Sequence, residues 1–294
     1  MKLKKFFMAC AAACAIAAPA MAEGGTFDGT LPENWKADVF TSVKINWYNF
    51  SNWKAGGTSN YNWLFLWHAD VQGNWSVANW RNLIDVEVGQ TWTEELGWRK
   101  SNDKLFWESM LDFNMPFSPV IKAYIGNRFE TQIMDGYNYD TVDADGKTVA
   151  KAVSCFMDPA YETQVAGIAY VPNDNLSVRG GFANRMTISN GYHYADDKET
   201  LDKVETFRDE PGLEVIAEGK YAFSDVVNFK SRLWAFTNFE GVEKIDGKWE
   251  NLLAVSLATG VELQVGFDMA YDYDQSKDAQ YKTMVLFGLT WRLF

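Results

Sequence analysis

The chain has 294 residues, with 39 acids against 27 Lys and Arg, a formal net charge of −12 and 16% aromatic residues. That balance repels nucleic acid and leaves no basic patch for phosphate, while the length suits one large β domain, undivided. After the N-terminus nothing is apolar for long enough to be a transmembrane helix. In chain order, Lys2, Lys4 and Lys5 give a basic start, Phe6 to Ala18 a short apolar run, and Pro19-Ala20-Met21-Ala22 a small-residue cleavage site. Together they predict a secretory signal peptide over residues 1–22, cut near Ala22. A membrane anchor would need roughly 20 apolar residues, and a lipoprotein site at Cys14 lacks the large apolar residue expected before it. Cleavage would remove Cys10 and Cys14, leave Cys155 with no intramolecular partner, and take the charge to −15.

Residues 23–35 read as a short periplasmic segment, and 36–294 as one barrel. From Val39 the apolar Val39, Val43, Ile45 and Trp47 alternate with Ser42, Lys44 and Asn46, the period of a strand with one greasy and one wet face. Tyr61, Trp63, Phe65, Trp67, Ala69 and Val71 then oppose His68, Asp70 and Gln72, and Trp80, Ile84, Val86, Val88 and Trp92 oppose Arg81, Asp85 and Glu87. Further on, Leu105, Trp107 and Leu111 oppose Glu108 and Asp112; Ile121, Ala123, Ile125 and Phe129 oppose Lys122, Arg128 and Glu130. Tyr161, Val165, Ala169 and Val171 are read as the apolar face against Glu162 and Gln164. Leu176, Val178, Phe182 and Met186 oppose Arg179 and Arg185; Leu213, Val215 and Ala217 oppose Glu214 and Glu218; Phe229 and Leu233 oppose Lys230 and Arg232. The last three segments centre on Trp249 to Leu257, Val261 to Tyr273, and Tyr281 to Phe294.

The count is about twelve strands. Several alternate for ten or more residues, which a tilted membrane strand needs, against about five or six in an average strand. A soluble β-sandwich also alternates, but not at that length. Short turns at Asn74-Trp75-Ser76, Pro116 to Ser118, Pro172 to Asn175, Ser224-Asp225 and Thr259-Gly260 alternate with longer links at Ser51–Thr58, Thr93–Asp103, Thr131–Pro159, Ser189–Pro211, Glu240–Gly247 and Gln275–Ala279. That alternation fits short periplasmic turns and external loops. The expected fold is therefore all-β: a transmembrane antiparallel up-and-down β-barrel in the cell outer membrane. Its expected partners are outer-membrane lipid and lipopolysaccharide, with no nucleic acid. The terminal Phe294 resembles the signal that barrel-assembly machinery recognises. It falls on the parity of Thr290 and Arg292 rather than of Trp291, so either it leaves the pleat or a bulge shifts the register.

Several runs resemble a family of predicted Gram-negative outer-membrane barrels known only as a domain of unknown function. They are Asn52 to Ser59, Asn79 to Asn82, Arg99 to Lys104, Glu130-Thr131-Gln132 with Gly136-Tyr137, Ser154 to Tyr161, and Gly167 to Pro172. The resemblance implies fold and location and brings no activity, substrate or catalytic residue.

Chemistry is sparse. With only His68 and His193, the one catalytic reading is a rim Ser/His hydrolase built on Ser189 and His193, where Asn190-Gly191 is more simply a turn. Asp140 to Gly146 loosely resembles a calcium loop but lacks the spacing and the closing Glu, and one Cys with scattered His gives no zinc pattern. No cofactor, metal or catalytic residue is assigned. The polar face is the candidate site: Lys44, His68, Asp70, Arg81, Asp85, Glu87, Glu108, Asp112, Arg128, Glu130, Arg179, Arg185, Lys230, Arg232, Glu262, Asp268 and Asp272 would line the lumen. If acids and bases cluster apart, they select solutes in a narrow channel; if they pair across, they plug a structural or adhesive barrel whose loops carry the function. Channel or uptake is the favoured reading. Tyr137, Tyr139, Tyr192 and Tyr194 are candidate binding residues in the two longest external loops.

Overall fold

A computed structural model describes residues 31–48, 60–94, 96–142, 148–196, 204–239, 241, 244–272 and 276–293. The signal peptide, the Ser51–Thr58 link, the tip of the Asp140–Gly146 segment and Phe294 lie outside the described residues. The strands are β1 (Trp35–Tyr48), β2 (Asn60–Asn74), β3 (Ala78–Thr93), β4 (Gly97–Met115), β5 (Ser118–Thr131), β6 (Gly136–Val142), β7 (Thr148–Ser154), β8 (Ala160–Asn173), β9 (Leu176–Ile188), β10 (Phe207–Ala222), β11 (Val227–Asn238), β12 (Ile245–Ala258), β13 (Val261–Asp272) and β14 (Ser276–Arg292).

Twelve of them close an antiparallel barrel in which chain neighbours are sheet neighbours, and β6 and β7 form a separate two-stranded hairpin between β5 and β8. The ring closes where β14 pairs with β1, Arg292 opposite Phe40 and Gly288 opposite Lys44. Closure joins the first and last strands over Phe40 to Lys44, as a sheet in hydrocarbon requires, because backbone polar groups there must be bonded internally. The pleat divides most strands as the alternation predicts. On β1, Val43 and Ile45 are 40% and 56% exposed while Ser42 and Lys44 are buried. Phe182, Val215, Val285, Phe287 and Leu289 likewise stand outward and open. An exterior of large exposed apolar side chains around a charged interior inverts a soluble protein and matches a lipid-facing wall.

The tight turns fall where expected, at 75–77, 116–117, 174–175, 223–226 and 259–260. At the last, Gly260 has φ +73°, a conformation that glycine adopts without strain. At the first, the Trp75 ring lies against Gly73, where a Cβ would collide with it, and is in edge contact with Trp35 at 5.6 Å.

The opposite end differs from the sequence reading in four links. Thr93–Asp103, Ser189–Pro211, Glu240–Gly247 and Gln275–Ala279 are shorter than expected, because β4, β10, β12 and β14 begin at Gly97, Phe207, Ile245 and Ser276. Arg99 and Lys100 pair with Thr91 and Gln90 in the ladder. Beyond the membrane both faces of a strand meet water, so hydrophobic alternation stops while hydrogen bonding continues. Another correction concerns β8. Val165 and Ala169, read as outward, are 7% and 0% exposed, whereas Gln164, Ile168 and Tyr170 are open. Register forces this, since Lys122 and Arg128 on the inner face of β5 pair with Ala169 and Thr163. Val165 and Ala169 join Tyr124, Ala183 and Phe236 in an apolar cluster inside the barrel. Towards the end of the chain, β14 pairs without a break from Gly288 to Arg292, so the described part of that strand carries no bulge against β1.

Candidate functional site: the lumen

Inward positions on twelve strands bring the charged residues into one space, and their pairing divides it. Arg128 on β5 donates to both carboxylate oxygens of Glu214 on β10, at 2.8 and 3.0 Å, and to Glu108 at 3.2 Å. Arg232 on β11 reaches Glu108 on β4 and Glu218 on β10, each at 2.5 Å. Arg81 on β3 grips Asp70 through two nitrogens, at 3.0 and 2.9 Å, and Glu218 at 2.9 Å. Arg179 reaches Asp112 at 2.9 Å, and Arg185 pairs with Asp246. Strands β4 and β11 lie five places apart in the ring of twelve, as do β3 and β10, so the Arg232–Glu108 and Arg81–Glu218 bonds cross the lumen, whereas Arg128–Glu108, Arg232–Glu218 and Arg81–Asp70 join adjacent strands along the wall. Trp234 Nε1 donates to Glu214 at 2.7 Å. The network and the apolar cluster pack part of the space between β4, β5 and β8–β11.

Two cavities remain inside the barrel. A cavity of about 700 Å³ is lined from Lys220 and Lys230, near the turn at 223–226, to Lys100 and Asp103 near the opposite rim. A second, of about 250 Å³, adjoins it near that rim and shares Lys104, Glu130, Arg232, Lys248 and Glu250 with it. Lys104 pairs with Glu250 at 3.3 Å and Lys248 with Glu130 at 3.5 Å.

Of the residues predicted to line the lumen, His68, Asp70, Arg81, Asp85, Glu87, Glu130, Lys230, Arg232 and Asp268 border the larger cavity, and Arg128, Arg185 and Asp272 the smaller. Glu108, Asp112 and Arg179 are packed within the network, while Lys44 and Glu262 face each other at 3.9 Å away from it. His68 Nδ1 donates to the Asp85 carboxylate at 2.6 Å, and the ring stacks on Phe40 at 4.7 Å. Thus acids and bases neither segregate fully nor fill the whole bore, and two cavities remain beside the pairs. Sequence reasoning set Glu214 and Glu218 on the polar face of their strand but left out Lys104, Lys248 and Glu250; Lys104 shares the parity of Glu108 on β4, and Glu250 pairs in the ladder with Arg232 and Asp268. It also passed over the apolar inward residues Leu64 and Leu66, whose parity is that of His68.

At the loop end, Asp103 accepts from the backbone N–H of Ile133 and Met134 at 2.7 and 2.9 Å, which ties the base of the β6–β7 segment to the rim. Tyr137 and Tyr139 lie 6.2 Å apart, with the Arg99 guanidinium 3.8 Å over Tyr139. Burial and the Asp158 carboxylate push the Tyr194 phenol up from its ordinary pKa. The hydrolase reading is not assembled. Ser189 is fully buried and donates to Asp158 at 2.6 Å, while His193 pairs with Asp196 at 2.6 Å. Among the described residues no cluster of His, Cys, Asp and Glu could hold a metal ion.

Residues 45–137, about a third of the chain, match the model of a family described as a protein of unknown function, DUF3078. That is the kind of family the runs from Asn52 to Tyr137 resemble. No curated protein sequence matches. Among solved structures, an outer-membrane channel from Pseudomonas putida F1 is 7% identical, with a TM-score of 0.41 over 92% of this chain and all of its own. The NanC porin is 7% identical, with a TM-score of 0.38 over 86% of this chain and 99% of its own. The translocator domain of the autotransporter NalP from Neisseria meningitidis is 11% identical, with a TM-score of 0.37 over 97% of each chain.

Proposed function

We propose that this is an outer-membrane protein in which small solutes pass along an off-axis, water-filled channel beside the salt-bridge network. The observation that carries it is the cavity of about 700 Å³ that follows the strands from Lys220 to Lys100 inside the lumen. A twelve-strand barrel is wider than the filled eight-strand type and narrower than sixteen-strand porins, and the ion pairs that cross its bore narrow it further. Charged side chains along the open wall favour polar or ionised solutes over neutral ones. The competing reading, a closed structural or adhesive barrel, draws on the Arg128, Arg232 and Arg81 pairs that cross the bore.

Reconstitution of the purified protein in a planar bilayer decides between them. The expected result is a steady conductance below that of a sixteen-strand porin; a folded but silent barrel favours the closed reading. Outer-membrane fractionation with heat-modifiable gel mobility tests location, and recovery as a soluble periplasmic protein would refute it.

A further inference from the structure

The two walls of the larger cavity differ. Phe40, Leu64, Leu66, Met284 and Leu286, on the adjoining strands β1, β2 and β14, make one wall apolar, although all point into the barrel. Facing them stand Arg81, Glu218, Arg232 and Glu250, each already engaged in an ion pair. Leu64 is buried at 5% exposure, whereas Phe40, Leu66, Met284 and Leu286 are half-buried, so part of this wall meets the cavity and offers a hydrated ion nothing. It is well placed against a solute with an apolar flank.

Charge fixes the other end of such a solute. Lys230 has no ion-pair partner among the described residues. It is exposed near the turn at 223–226 with the like-charged Lys220 beside it; carboxylates that act on it electrostatically are Asp38, Asp70 and Asp85. Each is held by another base: Asp38 by Arg292 at 2.8 Å, Asp70 by Arg81 at 2.9 Å and Asp85 by His68 at 2.6 Å. Its ladder neighbours are Lys220 on one side and Leu252 on the other. Leu252 in turn faces Gly266, and Gly266 faces Met284. Gly266 has no side chain to fill the row, and a Cβ there would press on Met284 Cε at 2.9 Å. An uncompensated ammonium thus continues directly into an apolar strip along one row of the wall.

We infer that the cavity binds an amphipathic monocarboxylate, with its carboxylate on Lys230 and its aliphatic or aromatic body along Leu252, Met284 and the leucine wall. The inference rests on the channel reading above for access to the site, and it names the solute class. The volume is within the usual range of small-ligand sites, about 300–1,000 Å³. A carboxylate gains a charge-assisted hydrogen bond from Lys230, and each methylene that leaves water adds to affinity.

The test uses the full-length protein and four probes: hexanoate, benzoate, acetate and hexylammonium. In planar bilayers hexanoate and benzoate should reduce the conductance at concentrations at least about tenfold lower than acetate, given the added apolar surface, or hexylammonium, which has the wrong charge. Lys230→Gln should raise the half-blocking concentration of hexanoate about tenfold, the size of one charge-assisted contact, and Leu64→Asn should weaken hexanoate more than acetate. Calorimetric titration of hexanoate into detergent-solubilised protein reads binding without conduction. A silent barrel that still binds hexanoate through Lys230 would refute the channel and keep the site. A conducting one for which acetate or hexylammonium equals hexanoate, or which ignores Lys230→Gln, refutes the site alone.

Discussion

Replacing Arg128 by Met tests whether the cross-lumen network is held by charge balance. Glu214 is 1% and Glu108 2% exposed, and Arg128 supplies Glu214 with two of its bonds and Glu108 with one. Without it, Glu214 keeps the indole N–H of Trp234 and no base. Removing one member of a buried ion pair costs roughly 3–5 kcal/mol, because the remaining charge stays buried and unpaired. Replacing both by apolar groups is near neutral or stabilising. Arg128→Met should therefore lower unfolding free energy by about 3–5 kcal/mol, and Arg128→Met with Glu214→Leu should recover most of the loss. Equilibrium urea unfolding in lipid vesicles, followed by tryptophan fluorescence, measures both. A single variant within about 1 kcal/mol of the wild type, the median worth of an exposed pair, would mean that water reaches Glu214.

Arg232 borders both cavities and neutralises Glu108 and Glu218, so Arg232→Ala should widen the passage and leave excess negative charge; single-channel recording should show larger conductance and stronger cation preference. Gly181 packs where a Cβ would overlap the Ala166 carbonyl oxygen, and Gly181→Val should destabilise by about 1–3 kcal/mol or more, as forced overpacking does, in the same urea assay. Ser189→Ala removes a buried bond to Asp158 and should cost about 1–3 kcal/mol, whereas His193→Ala, at a side chain 61% exposed, should stay within about 0.5 kcal/mol; lipid hydrolysis abolished by either would restore the enzyme reading. Protease added to intact cells should cut at Lys151, exposed on β7, and spare the turns at Pro116 and Pro172, because exposed loop segments are where nicking concentrates; cutting only after the outer membrane is broken would invert the topology.

Strand number, the lipid-facing residues of most strands and the tight turns were legible in the sequence, because a strand's side-chain period is two and a lipid-facing wall keeps that period apolar for a membrane's thickness. Val43 and Ile45 against Ser42 and Lys44 need no partner strand to be sorted. Two features escaped that logic for a common reason. On β8 both faces are apolar over much of the strand, so composition cannot assign Val165 and Ala169, and the register with Lys122 and Arg128 does. Above the membrane Arg99 and Lys100 lose alternation while staying in the ladder.

The lumen shows the same division. Parity placed Arg128, Glu108, Arg232 and Lys230 inside. Whether a base meets an acid depends on which strands face each other once the ring has closed, and at what height. Arg232 and Glu108 are 124 residues apart and meet because β11 and β4 lie nearly opposite in the barrel. Lys230 stands free because the acids near it are taken by Arg292, Arg81 and His68. Local periodicity therefore determined the wall, and closure of the ring determined which charges inside it meet and where cavities remain.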